Sequence, residues 1–259
     1  MSRTMFFSPP GAYPPAGLYG SGYFLLLGAT LLLIAAGLFA ARHADEKTVR
    51  RIVRASVAVL WVLEVCKILF VVVLNGSRDP NQFVPLYYCT LTLYAGLFSA
   101  IGRGRWRRLG DVFLATGGLI GGLSFLACPN TSLPLYPAFH FISWHSFLLH
   151  GLMVFLALLL LLRLSLDLSL SDIVYPASLV TVLCIVAYTF NTVYDRVAGR
   201  ATANLMFISK DFPGTPVTLV YRVCGPLFPV AMWAIQSFCP FLIVYGLWYL
   251  CHRHRKTNA

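Results

Sequence analysis

The chain has 259 residues, 58% of them apolar and only 11% charged, at a mean hydropathy of +0.75. Those values exclude a water-soluble globular fold and predict an all-α, polytopic transmembrane helix bundle. The net charge of +11 does not signal nucleic acid, because the basic residues cluster at the ends of apolar segments and not along one amphipathic face.

A membrane-spanning helix consumes about 20 apolar residues, since the hydrocarbon core is roughly 30 Å thick and a helix rises 1.5 Å per residue. The proline-rich leader, residues 1–22, has turn and polyproline character and is expected as an exposed tail. Residues 23–41 are uncharged, and the basic residues Arg42, Lys47, Arg50 and Arg51 follow them. This is the reverse of a signal peptide's layout and predicts a retained first span. The second span is expected at 52–74, and the third at 83–102 behind a turn-rich loop. After the basic loop Arg103 to Arg108 comes a fourth span, 112–127, whose glycines at 117, 118, 121 and 122 permit close helix approach. The fifth is expected at 139–162 and the sixth at 173–191. Residues 192–221 are polar enough to lie outside the bilayer, and the seventh span, 223–251, carries Pro226, Pro229 and Pro240, which predict kinks. One seven-helix domain therefore covers 23–251, and residues 252–259 form a basic tail.

Cytoplasmic loops carry the excess of lysine and arginine. An outward N-terminus and a cytoplasmic C-terminus put thirteen of the twenty inside: Arg42, Lys47, Arg50, Arg51, Arg54, the four arginines of 103–108, Arg163 and three in the tail. Six fall outside and Lys67 lies within a span.

Glu64 and Lys67 are costly in a bilayer, roughly 2.5 to 3.5 kcal/mol each near a helix centre, so they must face the bundle interior or water. Their i,i+3 spacing lets them neutralise one another as a structural ion pair. The alternative is a proton or substrate site. On the fifth span His140, Ser143, Ser146 and His150 fall within an arc of roughly 120°, with His145 on the other side. On the third, Cys89, Thr92, Gly96 and Ser99 follow one another along one face. Both helices enter from the outside, which puts Cys89 roughly 9 Å below Phe83 and His150 roughly 15 Å below His140. A thiol beside an imidazole is a nucleophile and base pair; a cysteine in an apolar helix is also ordinary core. No CxxC or Cys/His spacing signals a zinc site or disulfide framework, and neither metal nor cofactor is expected.

Three stretches carry a family resemblance: Val84-Pro-Leu-Tyr-Tyr-Cys89, Leu149-His150-Gly151, and the segment from Asn204-Leu-Met-Phe to Gly214. In order and placement they resemble the YwaF family of integral membrane proteins, whose animal branch includes transmembrane protein 164. Tyr87 or Tyr88 stands where that family usually has histidine, and Leu149 where it has a small residue. The resemblance implies a cysteine-dependent acyltransferase acting on ether phospholipids, with Cys89 as nucleophile and His150 as its partner; the pair, in the outer half of the membrane, is expected to pass the acyl group to a lyso-lipid hydroxyl or, as an acyl hydrolase, to water. Around them Tyr88, Thr92, Ser143, Ser146 and Asn204 are expected to contact substrate, Thr92, Ser146 and Asn204 being candidate oxyanion donors. The expected partners are membrane lipids, in a bacterial cell (inner) membrane. A small-solute or ion transporter using Glu64, Lys67 and the histidines, and a non-catalytic scaffold, are the competing readings.

Overall fold

A computed structural model describes residues 5–164, 166–199 and 201–257, and all regular structure among them is helical. The helices are α1 (Ser21–Ala40), α2 (Glu46–Leu69), α3 (Leu91–Ile101), α4 (Arg105–Ala127), α5 (Phe141–Arg163), α6 (Val174–Ala198), α7 (Pro216–Cys224) and α8 (Phe228–Thr257). A π turn, Phe70–Leu74, prolongs α2, and a second, Leu114–Gly118, interrupts α4. Among the described residues, six helical stretches are long and apolar enough to cross a membrane: α1, α2 with its π turn, α4, α5, α6 with the turn before it, and α7 continued by α8.

The third expected span is not among them. Only its second half is helical, and the 11 residues of α3 reach about 16 Å, half a bilayer. Asp79 caps a single turn, Pro80–Phe83, and residues 84–90 then run without helical structure. Pro85 has no N–H to give to a helix. The Leu86 carbonyl is taken instead by the Met206 amide at 2.9 Å, from a segment over a hundred residues away. α3 lies antiparallel beside the first half of α2: the Trp61 indole donates to the Leu93 carbonyl at 3.3 Å and Arg54 Nε to the Ala100 carbonyl at 3.1 Å. The turn at Gly102 to Gly104 sends the chain back as α4, packed so closely on α3 that a Cβ on Gly110 would stand 2.3 Å from the Ser99 amide nitrogen.

One end of the bundle holds the arginine-rich turns. Arg50 makes a two-pronged pair with the buried Asp111, both contacts 2.8 Å, and Arg108 pairs with Asp172 at 2.6 Å. At the opposite end the leader, most of whose described residues are exposed, is docked near its start: Ser8 is buried and its carbonyl meets His140 Nε2 at 2.9 Å, while Phe7 packs on Phe70 and Phe141. Residues 192–221 are not all loop, since both ends belong to long apolar helical stretches. α6 runs on to Ala198, and the chain then dips inward so that Leu205 and Met206 are fully buried. Polar side chains make this possible by satisfying backbone that no helix or strand serves. Asn191 bonds both the amide and the carbonyl of Leu205, and Gln236 donates to the Met206 carbonyl at 3.0 Å.

Candidate functional site

The break before α3 brings the candidate residues into the middle of the bundle. The turn from Tyr87 to Thr90 starts α3, and the first amides of the helix, Leu91 to Leu93, are bonded to the carbonyls of that turn. Cys89 sits at the last turn residue but one. It is half-buried, packed against the core that holds Leu86, Leu91 and Met153. Non-helical backbone at membrane depth is tolerated where protein surrounds it or it lines a cavity.

Tyr88 reaches from the same turn to α4. Its ring lies 5.9 Å from that of Phe113 and against the Gly117 and Gly121 face. A Cβ on Gly122 would come within 3.0 Å of the His150 carbonyl, so the glycines draw α5 close as well. The Thr92 hydroxyl is buried near Gly118 and has no hydrogen-bond partner among the described residues.

Glu64 Oε1 accepts from Lys67 Nζ at 2.6 Å, and Glu64 is 1% exposed with its other oxygen unpartnered. Lys67 lies within electrostatic range of Cys89, His145 and His150. His150 stacks on Phe125 with ring centroids 3.8 Å apart, and its Nδ1 meets the Ser146 carbonyl at 2.6 Å. A carbonyl can only accept, so Nδ1 carries the proton and Nε2 is the basic nitrogen. No hydrogen bond joins Cys89 to His150 among the described residues.

The stripe on α5 does not act as one unit. Ser143 donates to the Pro137 carbonyl at 2.9 Å, and the His140 ring accepts from the Ile142 amide at 3.1 Å, so both shape the entry to the helix. Asn204 is also occupied. Its oxygen accepts from the Ser209 and Lys210 amides and its nitrogen donates to the Lys210 and Asp211 carbonyls. Sequence reasoning set His145 aside, yet it is 5% exposed, approaches the Leu63 carbonyl of α2 and leaves Nε2 buried without a partner. The signal lies in α5 itself, whose most apolar stretch is 61% buried. A helix enclosed on most sides gives an off-stripe histidine a protein neighbour too.

Met206 and Phe207, in the segment facing this break, both hold left-handed backbone, φ +60° and +49°. Bulky residues rarely adopt it, and such strain persists only where surrounding contacts impose it. Phe207 packs on Tyr87, ring centroids 4.9 Å apart. The first and third motif stretches therefore meet here, and Leu149 of the second belongs to the same core as Leu86, Leu205 and Met206.

The family model described as the TMEM164 family matches residues 18–250, nearly the whole chain. No curated protein and no solved structure matches it.

Proposed function

Because the chain belongs to the TMEM164 family, we propose that this integral membrane protein transfers acyl chains between membrane phospholipids, with Cys89 as nucleophile and His150 as base. One observation carries the reading. Cys89 stands at the break before α3, half-buried against the same core as Leu149 and Met153, which flank His150 on α5.

His150 Nε2 takes the Cys89 proton, the thiolate attacks a phospholipid ester carbonyl, and the lyso-lipid alkoxide leaves with the proton held by His150. A second lipid hydroxyl then gives its proton to His150 and attacks the thioester, and the Cys89 thiolate departs. The oxyanion needs a donor in a site shielded from water. The unpartnered Thr92 hydroxyl and the Lys67 ammonium are the groups at hand. The outward N-terminus drawn from the charge count would put Cys89 and His150 in the outer half of the membrane, remote from cytosolic acyl-CoA, which makes a lipid the acyl donor.

The test is a phospholipid with an isotope-labelled acyl chain, supplied in liposomes to the purified protein. The expected result is a labelled thioester on Cys89, lost in Cys89→Ala and reduced roughly 100-fold or more in His150→Ala. Acyl exchange that continues at the wild-type rate in Cys89→Ala overturns the reading.

A second reading, an ion or solute transporter, is favoured by one feature: α3 is a half-helix ending at mid-bundle beside buried titratable groups, as discontinuous helices do at transport sites. Proton-coupled flux abolished by Glu64→Gln, with no thioester on Cys89, would establish it.

A further inference from the structure

Helices α1 and α2 both pack on α5 but leave a groove of about 320 Å³ between them. Thr30 and Gly37 of α1, Val59 and Leu63 of α2, and Leu148 and Leu152 of α5 line it. Two contacts set its floor. A Cβ on Gly151 would stand 2.5 Å from the Thr30 Cγ2 methyl, and one on Gly37 would stand 2.8 Å from the Phe155 ring, so small residues seat α1 directly on α5. Thr30 gives its hydroxyl to the Leu26 carbonyl at 2.8 Å, which leaves the wall apolar. Leu33 of α1 and Val59 of α2, on the two lips, are both exposed.

On α5 the lining residues Leu148, Leu152 and Phe155 share one face, and His145 stands on that face one turn nearer Phe141. Across the groove, His145 approaches the carbonyl of Leu63, itself a lining residue. The groove therefore ends at this imidazole. A carbonyl only accepts, so the nitrogen facing Leu63 carries the ring proton. The other, Nε2, is an acceptor, buried and without a partner among the described residues. Leaving such an acceptor unpaired is costly, and it calls for a donor from outside the chain. The groove opens on the flank of three spanning helices, where the solvent is hydrocarbon, so the donor has to arrive on a lipid.

The two ends of the groove define that lipid. A methylene occupies about the volume of a water molecule, roughly 30 Å³, so the groove accommodates about ten of them, one chain and not two. A diacyl lipid such as phosphatidylcholine has no hydroxyl to donate, and an ionised fatty acid offers only acceptors. A single-chain lipid with a free hydroxyl supplies both parts.

We propose that this groove binds a lysophospholipid, its chain held between α1, α2 and α5 and its glycerol hydroxyl donating to His145 Nε2. His150 lies five residues on, about 140° around the helix, and stacks on Phe125 of α4. The groove is thus separate from the acyl-transfer pair.

The full-length protein, carrying Cys89→Ala to prevent turnover, is reconstituted in phosphatidylcholine nanodiscs. It is labelled with a lysophosphatidylcholine bearing a diazirine in its acyl chain, and the adducts are mapped by peptide mass spectrometry. They are expected on α1, α2 and α5 around Leu33, Val59 and Leu152. Unlabelled lysophosphatidylcholine should compete about ten-fold better than its 2-deoxy analogue, in which hydrogen replaces the hydroxyl, because a hydrogen bond to a buried acceptor separates them. His145→Leu should bring the two competitors within about two-fold of each other, and His145→Gln, which keeps an acceptor, should retain part of the difference. Val59→Trp fills the groove and should remove most of the labelling. Val62→Trp, exposed on the same helix but outside the groove, should leave the labelling unchanged. Equal competition by the two analogues overturns the proposal even where the His145 variants fail to fold, and so do adducts spread evenly over the lipid-facing helices. Binding is read without turnover, and no groove variant touches Cys89 or His150, so this proposal and the acyl-transfer reading can fail separately.

Discussion

The Tyr88 hydroxyl fills the space that a side chain at Gly117 would need: a Cβ there would lie 2.8 Å from Tyr88 Oη and 2.9 Å from two atoms of the Phe113 ring. At Gly118, one residue on, the nearest atoms are 3.7 and 3.8 Å away, ordinary contact. Gly117→Ala should therefore overpack α4 against Tyr88 and Phe113 and cost about 1–3 kcal/mol. Gly118→Ala should be neutral or stabilise by up to about 1 kcal/mol through helix propensity. Denaturation of the two variants in one detergent tests the pair, and equal stabilities would mean that Tyr88 moves freely away from α4.

The long helices were legible because a bilayer demands long apolar runs, and α1, α2, α4, α5, α6 and α8 each cover most of an expected span. The break at residues 84–90 was not. Its residues are as apolar as a span, and what stops the helix is a non-local bond, Met206 amide to Leu86 carbonyl, with Pro85 withholding a local one. Side-chain partners from elsewhere in the chain hid the inward dip of residues 203–208, whose backbone is served by Asn191, Gln236 and Asn81. Of the candidate site, Cys89 stood out from ordinary apolar core only through resemblance. The contribution of His145 could not be read from helical angle, because angle does not say which neighbour stands on which side.

Lys67→Met should be among the most damaging changes in the chain. It leaves Glu64, 1% exposed, with no partner on either oxygen, and stranding a buried charge costs about 3–5 kcal/mol. Adding Glu64→Gln removes that charge and should restore most of the stability. Thioester formation in the double variant then separates two roles: full activity means that the pair only locks α2, and a folded, inactive protein means that the Lys67 cation serves the reaction.

Asn204→Ala should behave as a fold variant. All its side-chain capacity goes to the loop of residues 204–211, and leaving those groups unpaired costs about 2–3 kcal/mol. The rate per folded molecule should stay within a few-fold of wild type. A 100-fold loss with unchanged melting would instead give Asn204 an oxyanion-binding role.

Thr92→Val separates stability from chemistry most sharply. The hydroxyl is 1% exposed at the residue level and its oxygen has no partner. A buried polar group in that state costs about 1–3 kcal/mol relative to a satisfied one. Valine keeps the shape and removes the unpaired atom, so melting should be unchanged or rise slightly. An oxyanion donor lost from a shielded site slows acyl transfer by roughly 100-fold or more. A protein as stable as wild type that acylates Cys89 two orders of magnitude more slowly is the expected outcome. Unchanged acylation would leave Lys67 as the remaining donor and make Lys67→Met/Glu64→Gln the decisive variant.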